Sequence, residues 1–592
     1  MLAHMKSSDK PRFMQVRDQI KQINNAVIIS ELDRDISSFH KRVHFKSSLP
    51  SSSSLPSSYL SDKSSLDDKI VHFRNALITH DEKGKAKLVV ESIAACLIAE
   101  VLHGQFAFDS TGGSWCRYTG HQWKPCPQSE IDTSITELLY AGSAELGFRN
   151  AYGTGVAALL QKSGQNRLAV QPVGMIPFFN GLLDMSKMKL QPITPENAAT
   201  WVLPFNYTID AQCPNFLNWL LVAVDNDSET ILLIRAWLNA LLTGRPDLQV
   251  FLHLIGPGGT GKSTFGRLVF ILVGTDNATT TSLKQLETNR FEAANIFSKR
   301  LVAIEEADKY GGSVSVLKSM TGQDPLRLER KNQQQQGSFI FEGQTLMMSN
   351  ERLATTDYTS GIERRRITVE FTHRITQEER ANFEQRGGES ALLYSEAPGI
   401  INWALELTPD QVTSTFKKMP ERVRKANLDA ARFNNPIVDW MLQNLTPDPQ
   451  AKTKVGTKKE YRSLSGEILF KNEDLWLYPN YLTWCQGSGR EKVSLQRFSG
   501  AVADAAATYG TQTRKRRESG GVKIHGLRIR AADEQSWLDE IQNEGQLKTS
   551  MKGNQLNMFE MNNMKAVSNH SDRTNEESPS PDNTSNYIEV EL

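Results

Sequence analysis

The middle of the chain alternates short apolar runs with segments of helical spacing. Between residues 250 and 373, each apolar run has the length of one strand, and the segments between the runs repeat apolar residues at helical intervals. Residues 229–242 have the spacing of an amphipathic helix, and Gly244 follows them where helices commonly stop. This alternation is typical of a parallel sheet with crossover helices, so we predict an α/β core over residues 226–425.

The patterns before this core indicate a mixture of helices and hairpins. Residues 87–102 have helical spacing, while residues 115–123 alternate around Gly120 as a β-hairpin does. Asn180-Gly181 is a turn signal, and residues 201–207 (WVLPFNY) have the composition of a strand. We therefore predict an α+β accessory domain over residues 69–225.

The two ends of the chain are polar. Residues 1–68 end in a serine-rich run that cannot bury a core, and they predict a flexible arm. Residues 542–592 are rich in Asn, Ser, Met and Glu, and they predict a disordered tail. Between the core and the tail, residues 437–541 are interpreted as a third compact region.

Bulk composition narrows the function classes only slightly. The formal net charge of the 592 residues is +1, so contact with nucleic acid would depend on local basic patches. None of the five cysteines lies in a close CxxC pair, which disfavours a zinc finger or a redox dithiol and fits a reducing compartment. No apolar run is long enough to cross a bilayer, and the N-terminus lacks a signal core, so we expect a cytoplasmic protein without membrane contact.

The sharpest chemical signal is a glycine-rich loop that fits the pattern GxxxxGK[ST]. An apolar strand at residues 250–255 precedes it and an apolar helix at residues 265–273 follows it, as in a P-loop. Glycines let backbone N–H groups point at phosphate oxygens, Lys262 supplies a charge to the β- and γ-phosphates, and Ser263 can ligate Mg²⁺. The sequence therefore predicts a site for ATP and Mg²⁺, whose cofactor-binding residues are Gly256, Pro257, Gly258, Gly259, Thr260, Gly261, Lys262, Ser263 and Thr264.

Acidic residues follow the next predicted buried strand, residues 301–304 (LVAI). Carboxylates at the end of a strand beside a P-loop are placed to hold Mg²⁺ and to polarise the attacking water. We assign Glu305 to the metal and Glu306 to the general base, with Asp308 beyond them. The alternative is a solvated acidic turn.

Further polar candidates adjoin two more predicted strands. Asn350 follows an apolar strand at residues 345–348 and is suited to sense the γ-phosphate; alternatively, it caps the next turn. Arg364 and Arg365 precede another strand, at residues 367–371. An arginine here can stabilise transition-state charge on a neighbour's nucleotide, and Arg365 is the preferred candidate. A solvated or DNA-facing basic turn is the alternative.

The order and spacing of these motifs resemble a superfamily 3 helicase, a relative of the AAA+ ATPases. Residues 317–331 (LKSMTGQDPLRLERK) place a lysine, then a glycine and an aspartate, then a basic hairpin before the strand that ends near Asn350. This segment is similar to the helicase half of phage and plasmid primase–helicases, which are related to the poxvirus primase-helicase. The resemblance implies a hairpin that grips single-stranded DNA in a central channel, with the contact residues Lys318, Arg327, Arg330 and Lys331. The alternative is a solvated hairpin, although a local basic cluster also suits backbone phosphates.

The resemblance extends to both flanks of the core. Upstream, the predicted accessory domain is similar to the one that precedes such helicases. Downstream, residues 477–485 and 494–498 are similar to a C-terminal winged-helix module, and residues 514–529 would form its basic wing. Such a wing suits phosphate contact on duplex DNA, and its DNA-binding candidates are Arg514, Arg516 and Arg517. A solvated charge run is the alternative.

Two expectations concern the ends of the chain. In the tail, Gln555-Leu556-Asn557-Met558-Phe559 is similar to the peptide by which bacterial replication proteins dock on the sliding clamp, although such short patterns also arise by chance. The related primase–helicases often carry an N-terminal priming domain. Because the arm here is short and polar, we expect no primer synthesis by this chain.

The combined expectation is an ATP-dependent DNA helicase of phage- or plasmid-type replication in a bacterial cell. By resemblance, the subunits would form a ring, a hexamer, that translocates on single-stranded and forked DNA. The alternative with the same chemistry is an ATP-driven replication initiator or DNA-remodelling switch that does not unwind processively. Two further alternatives are less favoured. The basic hairpin disfavours a small-molecule kinase built on the same P-loop, and the phosphate loop disfavours a catalytically idle DNA-binding scaffold.

Overall fold

The computed structural model describes residues 63–170, 173–305, 310–331, 337–355, 357, 360–390 and 394–541. The described residues form two compact units, one of residues 63–102 and 133–165 and the other of residues 103–132 and 166–541. The predicted tail and most of the predicted arm lie outside the described residues, but a helix already begins at Lys63. The predicted accessory domain is divided between the two units. Within the described part of the chain, every helix is too short or too polar to cross a membrane.

The first unit is mainly helical. The elements of this region are α1 (Lys63–Leu77), β1 (Ile78–His80), β2 (Ala86–Leu88), α2 (Glu91–Leu102), α3 (Gln128–Ser143), which enters the unit at Thr133, and α4 (Asn150–Ser163). α2 packs against α1 and α4, and this packing buries Phe73, Ile98 and Leu160. The helix predicted at residues 87–102 begins only at Glu91, because the residues of β2 pair with β1 instead.

Two small antiparallel sheets open the second unit. Their strands are β3 (Phe106–Asp109), β4 (Ser114–Tyr118), β5 (Trp123–Pro125), β6 (Met175–Phe178), β7 (Gly181–Asp184) and β8 (Lys189–Gln191). The first three strands form one sheet and the last three the other, and Cys116, Trp123 and Leu182 lie in a buried cluster that the sheets share. The hairpin predicted at residues 115–123 is confirmed, with Gly120 in its turn at φ +93°.

The prediction of a strand at residues 201–207 is wrong. Leu203 makes only an isolated bridge to Phe178. The next residue, Pro204, has no N–H with which to continue a ladder of hydrogen bonds. Trp201 and Val202 are nevertheless buried, so the apolar composition of this segment reflects packing and not strand pairing.

A five-stranded parallel sheet forms the centre of the second unit. The strands of this region are β9 (Phe251–Ile255), β10 (Ala278–Thr281), β11 (Leu301–Ile304), β12 (Leu326–Arg327), β13 (Ser338–Phe339), β14 (Gln344–Ser349) and β15 (Arg366–Glu370). β12 and β13 form a separate antiparallel hairpin, and the other five follow the order β10-β11-β14-β9-β15. The predicted α/β class is thereby confirmed for this region. Because β14 lies between β9 and β11, the carboxyl ends of these three strands share one edge of the sheet.

Helices cover both faces of this sheet. They are α5 (Pro214–Ala223), α6 (Ser228–Thr243), α7 (Lys262–Val273), α8 (Leu283–Thr288), α9 (Glu292–Ile296), α10 (Ser315–Thr321), α11 (Ser360–Glu363), α12 (Gln377–Gln385), α13 (Gly388–Ser390), α14 (Ala397–Leu405), α15 (Pro409–Lys417) and α16 (Glu421–Asn434). Successive residues of β9 belong to different apolar clusters: Leu252 and Leu254 pack on one face and Phe251 on the other. Burial on both faces explains why these strands read as continuous apolar runs.

The last described region is the C-terminal module, residues 436–541. Its elements are α17 (Pro436–Asn444), β16 (Leu445–Lys454), β17 (Glu460–Arg462), β18 (Ile468–Phe470), α18 (Leu477–Ser488), α19 (Leu495–Thr508), β19 (Arg514–Glu518) and β20 (Gly521–Ile529). β16, β20 and β19 form an antiparallel sheet. Trp440, Tyr481 and Phe498 lie in the apolar cluster of this module.

Candidate active site

The glycine-rich loop, residues 256–263, connects β9 to the start of α7. Gly256 has φ +151°, and a side chain there would collide with the carbonyl oxygen of Phe371. Gly261 has φ +94°, and a Cβ atom there would lie 3.0 Å from the ring of Trp219. The backbone curve of the loop and its close neighbours therefore require glycine at both positions.

Lys262 is folded back over this loop. Its Nζ atom donates to the carbonyl oxygens of Gly256, at 2.6 Å, and Pro257, at 2.9 Å. The side chain of Thr260 donates to the same Pro257 oxygen at 3.0 Å. Lys262 is only 8% exposed, so its ammonium group is held above the loop where a phosphate ligand is predicted.

The two hydroxyl residues after Lys262 have different surroundings. Ser263 is exposed, and its hydroxyl has no hydrogen-bond partner among the described residues. Thr264 instead donates to a carboxylate oxygen of Glu389 at 2.8 Å, and Arg267 forms an ion pair with the same carboxylate. Burial raises the pKa of Glu389, but the hydrogen bonds from Arg267 and Thr264 outweigh burial and leave this pKa below its ordinary value. Ser263 is therefore the hydroxyl that remains available to a metal ion.

The sheet brings the predicted carboxylate and amide to the edge that carries the loop. Ile304, the last residue of β11, pairs with Met347, and Ser349 pairs with Ile255, the last residue of β9. Glu305 and Asn350 follow directly, and both side chains are exposed. One strand lies between β9 and β11, so their backbones are about 10 Å apart at this edge. The predicted base Glu306 and its neighbour Asp308 lie outside the described residues.

A buried histidine links β9 to β14 below this edge. The Nε2 atom of His253 lies 2.7 Å from the hydroxyl of Ser349, which donates to the carbonyl oxygen of Glu351 at 2.6 Å. Complete burial, reinforced by the charge of Arg366, lowers the pKa of His253 to about 3. The ring is therefore neutral at physiological pH and connects the loop strand to the segment that carries Asn350. Sequence reasoning missed this residue, although a histidine inside the run VFLHLI was a visible signal.

The predicted arginines lie at the opposite edge of the sheet. β15 runs parallel to β9, with Arg366 opposite Phe251, so residues 364 and 365 precede the strand at its amino end. A five-residue strand separates this edge from the loop by about 16 Å. Arg365 donates to the carbonyl oxygen of Gly361 at 2.6 Å, whereas Arg364 is exposed. Burial lowers the pKa of Arg365, and the neighbouring charge of Arg364 lowers it further.

The predicted DNA contacts differ in their position and availability, since Lys318 lies on α10 and the other three lie in or beside the β12–β13 hairpin. Lys318 forms an ion pair with Asp357 at 2.5 Å. Arg330 donates from Nη1 to the carbonyl oxygen of Gly112 at 3.0 Å, in the turn between β3 and β4. Arg327 and Lys331 are exposed. In the C-terminal module, exposed side chains on β19 include those of Arg514, Arg516 and Arg517.

A cavity of about 310 Å³ beside the loop was not predicted. Trp219, Ile375, Arg380 and Phe383 line it, together with Thr264. Trp219 packs on Gly261, and the N–H of Ile375 donates to the carbonyl oxygen of Gly259 at 3.1 Å. An aromatic, largely apolar cavity next to a phosphate loop can hold a nucleoside base. Its residues come from segments that are far apart in the sequence. No local motif therefore reveals the cavity.

A charged cluster next to the loop was also missed. Arg422 donates to a carboxylate oxygen of Asp225 at 2.7 Å and to the hydroxyl of Thr372 at 3.0 Å. Thr372 follows Phe371, whose carbonyl oxygen packs on Gly256. The hydrogen bond from Thr372, with that from Arg422, outweighs burial and keeps the pKa of Asp225 below its ordinary value. This cluster ties α16 to the segment that supports the loop.

Two family models match parts of this chain. "D5 N terminal like" matches residues 95–224, and "Family of unknown function (DUF5906)" matches residues 254–366. The second segment runs from the loop strand to the start of β15 and contains most of the predicted site. Neither model spans half of the chain, and membership of superfamily 3 stays a prediction.

Similar proteins and structures cover different shares of the chain. Uncharacterized mitochondrial protein ymf21 of Marchantia polymorpha is 29% identical over 124 residues, which are 19% of this chain and 69% of that protein. Uncharacterized mitochondrial protein ymf20 of the same organism is 24% identical over 121 residues, 20% of this chain and 72% of that protein. The apo C-terminal region of NrS-1 is 12% identical, with a TM-score of 0.37. The match covers 72% of this chain and 96% of the NrS-1 chain. The phage P4 origin-binding domain is 24% identical, with a TM-score of 0.13. The match covers 16% of this chain and 87% of the chain of that domain.

Proposed function

We propose that this protein is a P-loop ATPase of the superfamily 3 type that works as a DNA helicase in phage- or plasmid-type replication. The observation that carries the proposal is the shared sheet edge. There the glycine-rich loop with Lys262 lies one strand away from β11, which Glu305 follows directly, and Asn350 directly follows the intervening strand. A lysine, a carboxylate and an amide around one loop are the groups that hydrolysis of a nucleoside triphosphate requires.

The loop residues fit MgATP in several respects. Lys262 donates to the neutral carbonyl oxygens of Gly256 and Pro257, and its ammonium group is suited to the negative charge of a triphosphate. Ser263 and Glu305 are exposed oxygen ligands of the kind that Mg²⁺ prefers. The ion would neutralise charge on the phosphates. In this proposal Glu306 orients the attacking water, Asn350 contacts the γ-phosphate, and Trp219 borders the base.

The position of the arginines supports assembly of several copies. Arg364 and Arg365 lie at the sheet edge opposite the loop of their own chain, so they are suited to the nucleotide of a neighbour. A ring in which each nucleotide lies between two subunits meets this requirement. We propose a hexamer, in keeping with the resemblance to superfamily 3 helicases.

The DNA-binding part of the proposal rests on exposed basic side chains. Arg327 and Lys331 are exposed on the β12–β13 hairpin, where they can contact the backbone of single-stranded DNA. The β19–β20 hairpin beside α17, α18 and α19 supports a winged-helix module with basic residues for duplex DNA. A bacterial cytoplasmic location and docking on a sliding clamp through residues 555–559 remain part of the proposal, and these residues lie outside the described ones.

A strand-displacement assay tests this function. Wild-type protein with MgATP should separate a forked DNA substrate, and single-stranded DNA should stimulate its ATP hydrolysis. Comparison of 3′-tailed and 5′-tailed forks gives the polarity. ATP hydrolysis without strand displacement on either fork would instead favour an initiator or remodelling switch, and hydrolysis that is indifferent to DNA would refute the helicase.

A further inference from the structure

A cavity of about 770 Å³ lies between the parallel-sheet core and the C-terminal module. The core contributes Lys318, Arg364 and Arg365 to its lining, and the module contributes Arg497 and Lys515. The wall therefore brings together basic residues from segments that are more than a hundred residues apart in the chain. Its volume lies in the usual range of small-ligand sites.

The charges in this cavity do not cancel. Three carboxylates, those of Asp324, Asp357 and Asp504, face the five basic residues. Asp357 is paired with Lys318. Among the described residues, no ion pair involves Arg364, Arg497 or Lys515. The Nε atom of Arg365 is buried without a hydrogen-bond partner. The cavity therefore has an excess of positive charge and spare hydrogen-bond donors, which suit an anion.

A contact between α19 and α11 brings the module next to the arginines of the core. Arg497 lies in the first turn of α19. This helix packs against α11, which ends directly before Arg364. Beyond α19, burial raises the pKa of Tyr509, and the charge of Glu363, the last residue of α11, raises it further. Because α19 packs against α11, Arg497 and Arg364 line the same cavity.

The strand geometry separates Lys515 from its two immediate neighbours on β19. Side chains alternate between the two faces of a strand, so Lys515 faces away from Arg514 and Arg516. Lys515 lines the cavity, whereas its two neighbours do not. The basic run at residues 514–517 thus has two faces, with Arg514 and Arg516 on one and Lys515 and Arg517 on the other.

We propose that this cavity is a polyphosphate-binding site that receives the γ-phosphate end of a nucleotide held by a second copy of the chain, with Arg497 and Lys515 as its additional cations. The proposal rests on the proposed ATPase function and extends it, because it adds the C-terminal module to the nucleotide site. The arginines of the cavity lie at the sheet edge opposite their own loop, so the nucleotide must come from a neighbour.

The test compares two double variants in MgATP hydrolysis. Arg497→Ala with Lys515→Ala removes the two cations of the module. Arg462→Ala with Lys471→Ala is the matched control, because both residues are exposed in the same module and neither lines the cavity. We expect kcat of the first variant to fall about tenfold or more, with little change in KM, since these cations act on charge that develops at the γ-phosphate. The control should keep the wild-type rate.

Mixing experiments show whether the cations act between copies. The Lys262→Ala chain has an altered loop but a complete cavity. The Arg497→Ala/Lys515→Ala chain has an intact loop but a cavity without the two cations of the module. An equimolar mixture should hydrolyse MgATP faster than the mean of the two separate rates, because some loops then face a complete cavity. Circular dichroism and melting of each variant monitor folding.

Each outcome has a separate meaning. Absence of hydrolysis by the wild-type protein would refute the proposed function itself. Wild-type hydrolysis combined with an unaffected double variant, or with a mixture that only reaches the mean rate, would overturn the cavity proposal and leave the ATPase in place. Loss of affinity for a single-stranded oligonucleotide with an unchanged kcat would also overturn it, by assigning the cavity to DNA.

Discussion

The Nζ atom of Lys262 lies 2.6 Å from the carbonyl oxygen of Gly256, six residues earlier in the chain. This contact closes the glycine-rich loop on itself and places the positive charge inside the loop instead of in solvent. The same loop is fixed from outside, since Phe371 packs on Gly256 and Trp219 on Gly261. These contacts restrict the backbone of the loop, which lowers the conformational cost of binding a ligand.

Substitution of Gly256 by alanine should destabilise the protein. The positive φ of this residue and its contact with the carbonyl oxygen of Phe371 leave no room for a methyl group. We expect the free energy of unfolding to fall by about 1–3 kcal/mol. Gly258→Ala is the matched control, because a Cβ atom at Gly258 meets nothing within 4 Å. Equal melting temperatures for the two variants in thermal denaturation would contradict this account of the loop.

Glu305→Gln should impair hydrolysis more than nucleotide binding. Glu305 is placed to hold Mg²⁺, and the amide keeps the size of the side chain but removes its charge. We expect kcat to fall about a hundredfold or more, with nucleotide affinity changed far less. Glu342→Gln is the control, because Glu342 is exposed just before β14, at the opposite edge of the sheet. Calorimetry of nucleotide binding together with phosphate release would check both parts, and wild-type kcat would remove Glu305 from the site.

His253 should make the protein sensitive to acid. Its pKa in the folded protein is about 3, against 6.5 in the unfolded chain, so only the unfolded chain binds the proton between these pH values. The contribution of the neutral ring is fully present above about pH 6.5 and is lost as the pH falls towards 3, by at most about 1.4 kcal/mol per pH unit. His253→Gln should therefore lose less stability than the wild type between pH 7 and pH 5. Parallel melting curves for both proteins across this range would refute the assignment.

Arg327→Ala with Lys331→Ala should weaken binding of single-stranded DNA. Both side chains are exposed, whereas Arg330 is engaged with Gly112, so Arg330→Ala should have a smaller effect. The slope of log affinity against log salt should become shallower by about 1.4 for the double variant, if each residue neutralises one phosphate. Fluorescence anisotropy of a labelled oligonucleotide at several salt concentrations measures this slope. A larger loss from Arg330→Ala than from the double variant would show that the hairpin rearranges on DNA.

The local elements of this fold were predictable, whereas its long-range contacts were not. The helix predicted at residues 229–242 is observed as α6 and ends at Gly244 in a left-handed conformation, because apolar spacing and a terminal glycine define a helix locally. The order of the strands was not predictable, since it depends on how the crossover helices pack. That order is what places β14, and hence Asn350, between β9 and β11.

In the candidate site, too, the local motifs were predictable and the long-range contacts were not. The loop residues and Glu305 belong to short motifs, so their positions in the chain identify them. Trp219, Glu389 and Arg422 adjoin the loop or its helix from other elements, and no motif marks them in the sequence. The engagement of Arg330 with Gly112 depends on a turn more than two hundred residues earlier, and a local basic cluster gave no sign of it.

Phosphate release from MgATP by the wild-type protein and by Lys262→Ala tests the central claim most directly. If residues 256–263 hold a triphosphate beneath the Lys262 ammonium group, the wild type hydrolyses MgATP and the alanine variant loses this activity while it keeps most of its affinity for DNA. Hydrolysis by the Lys262→Ala variant at close to the wild-type rate would contradict the account.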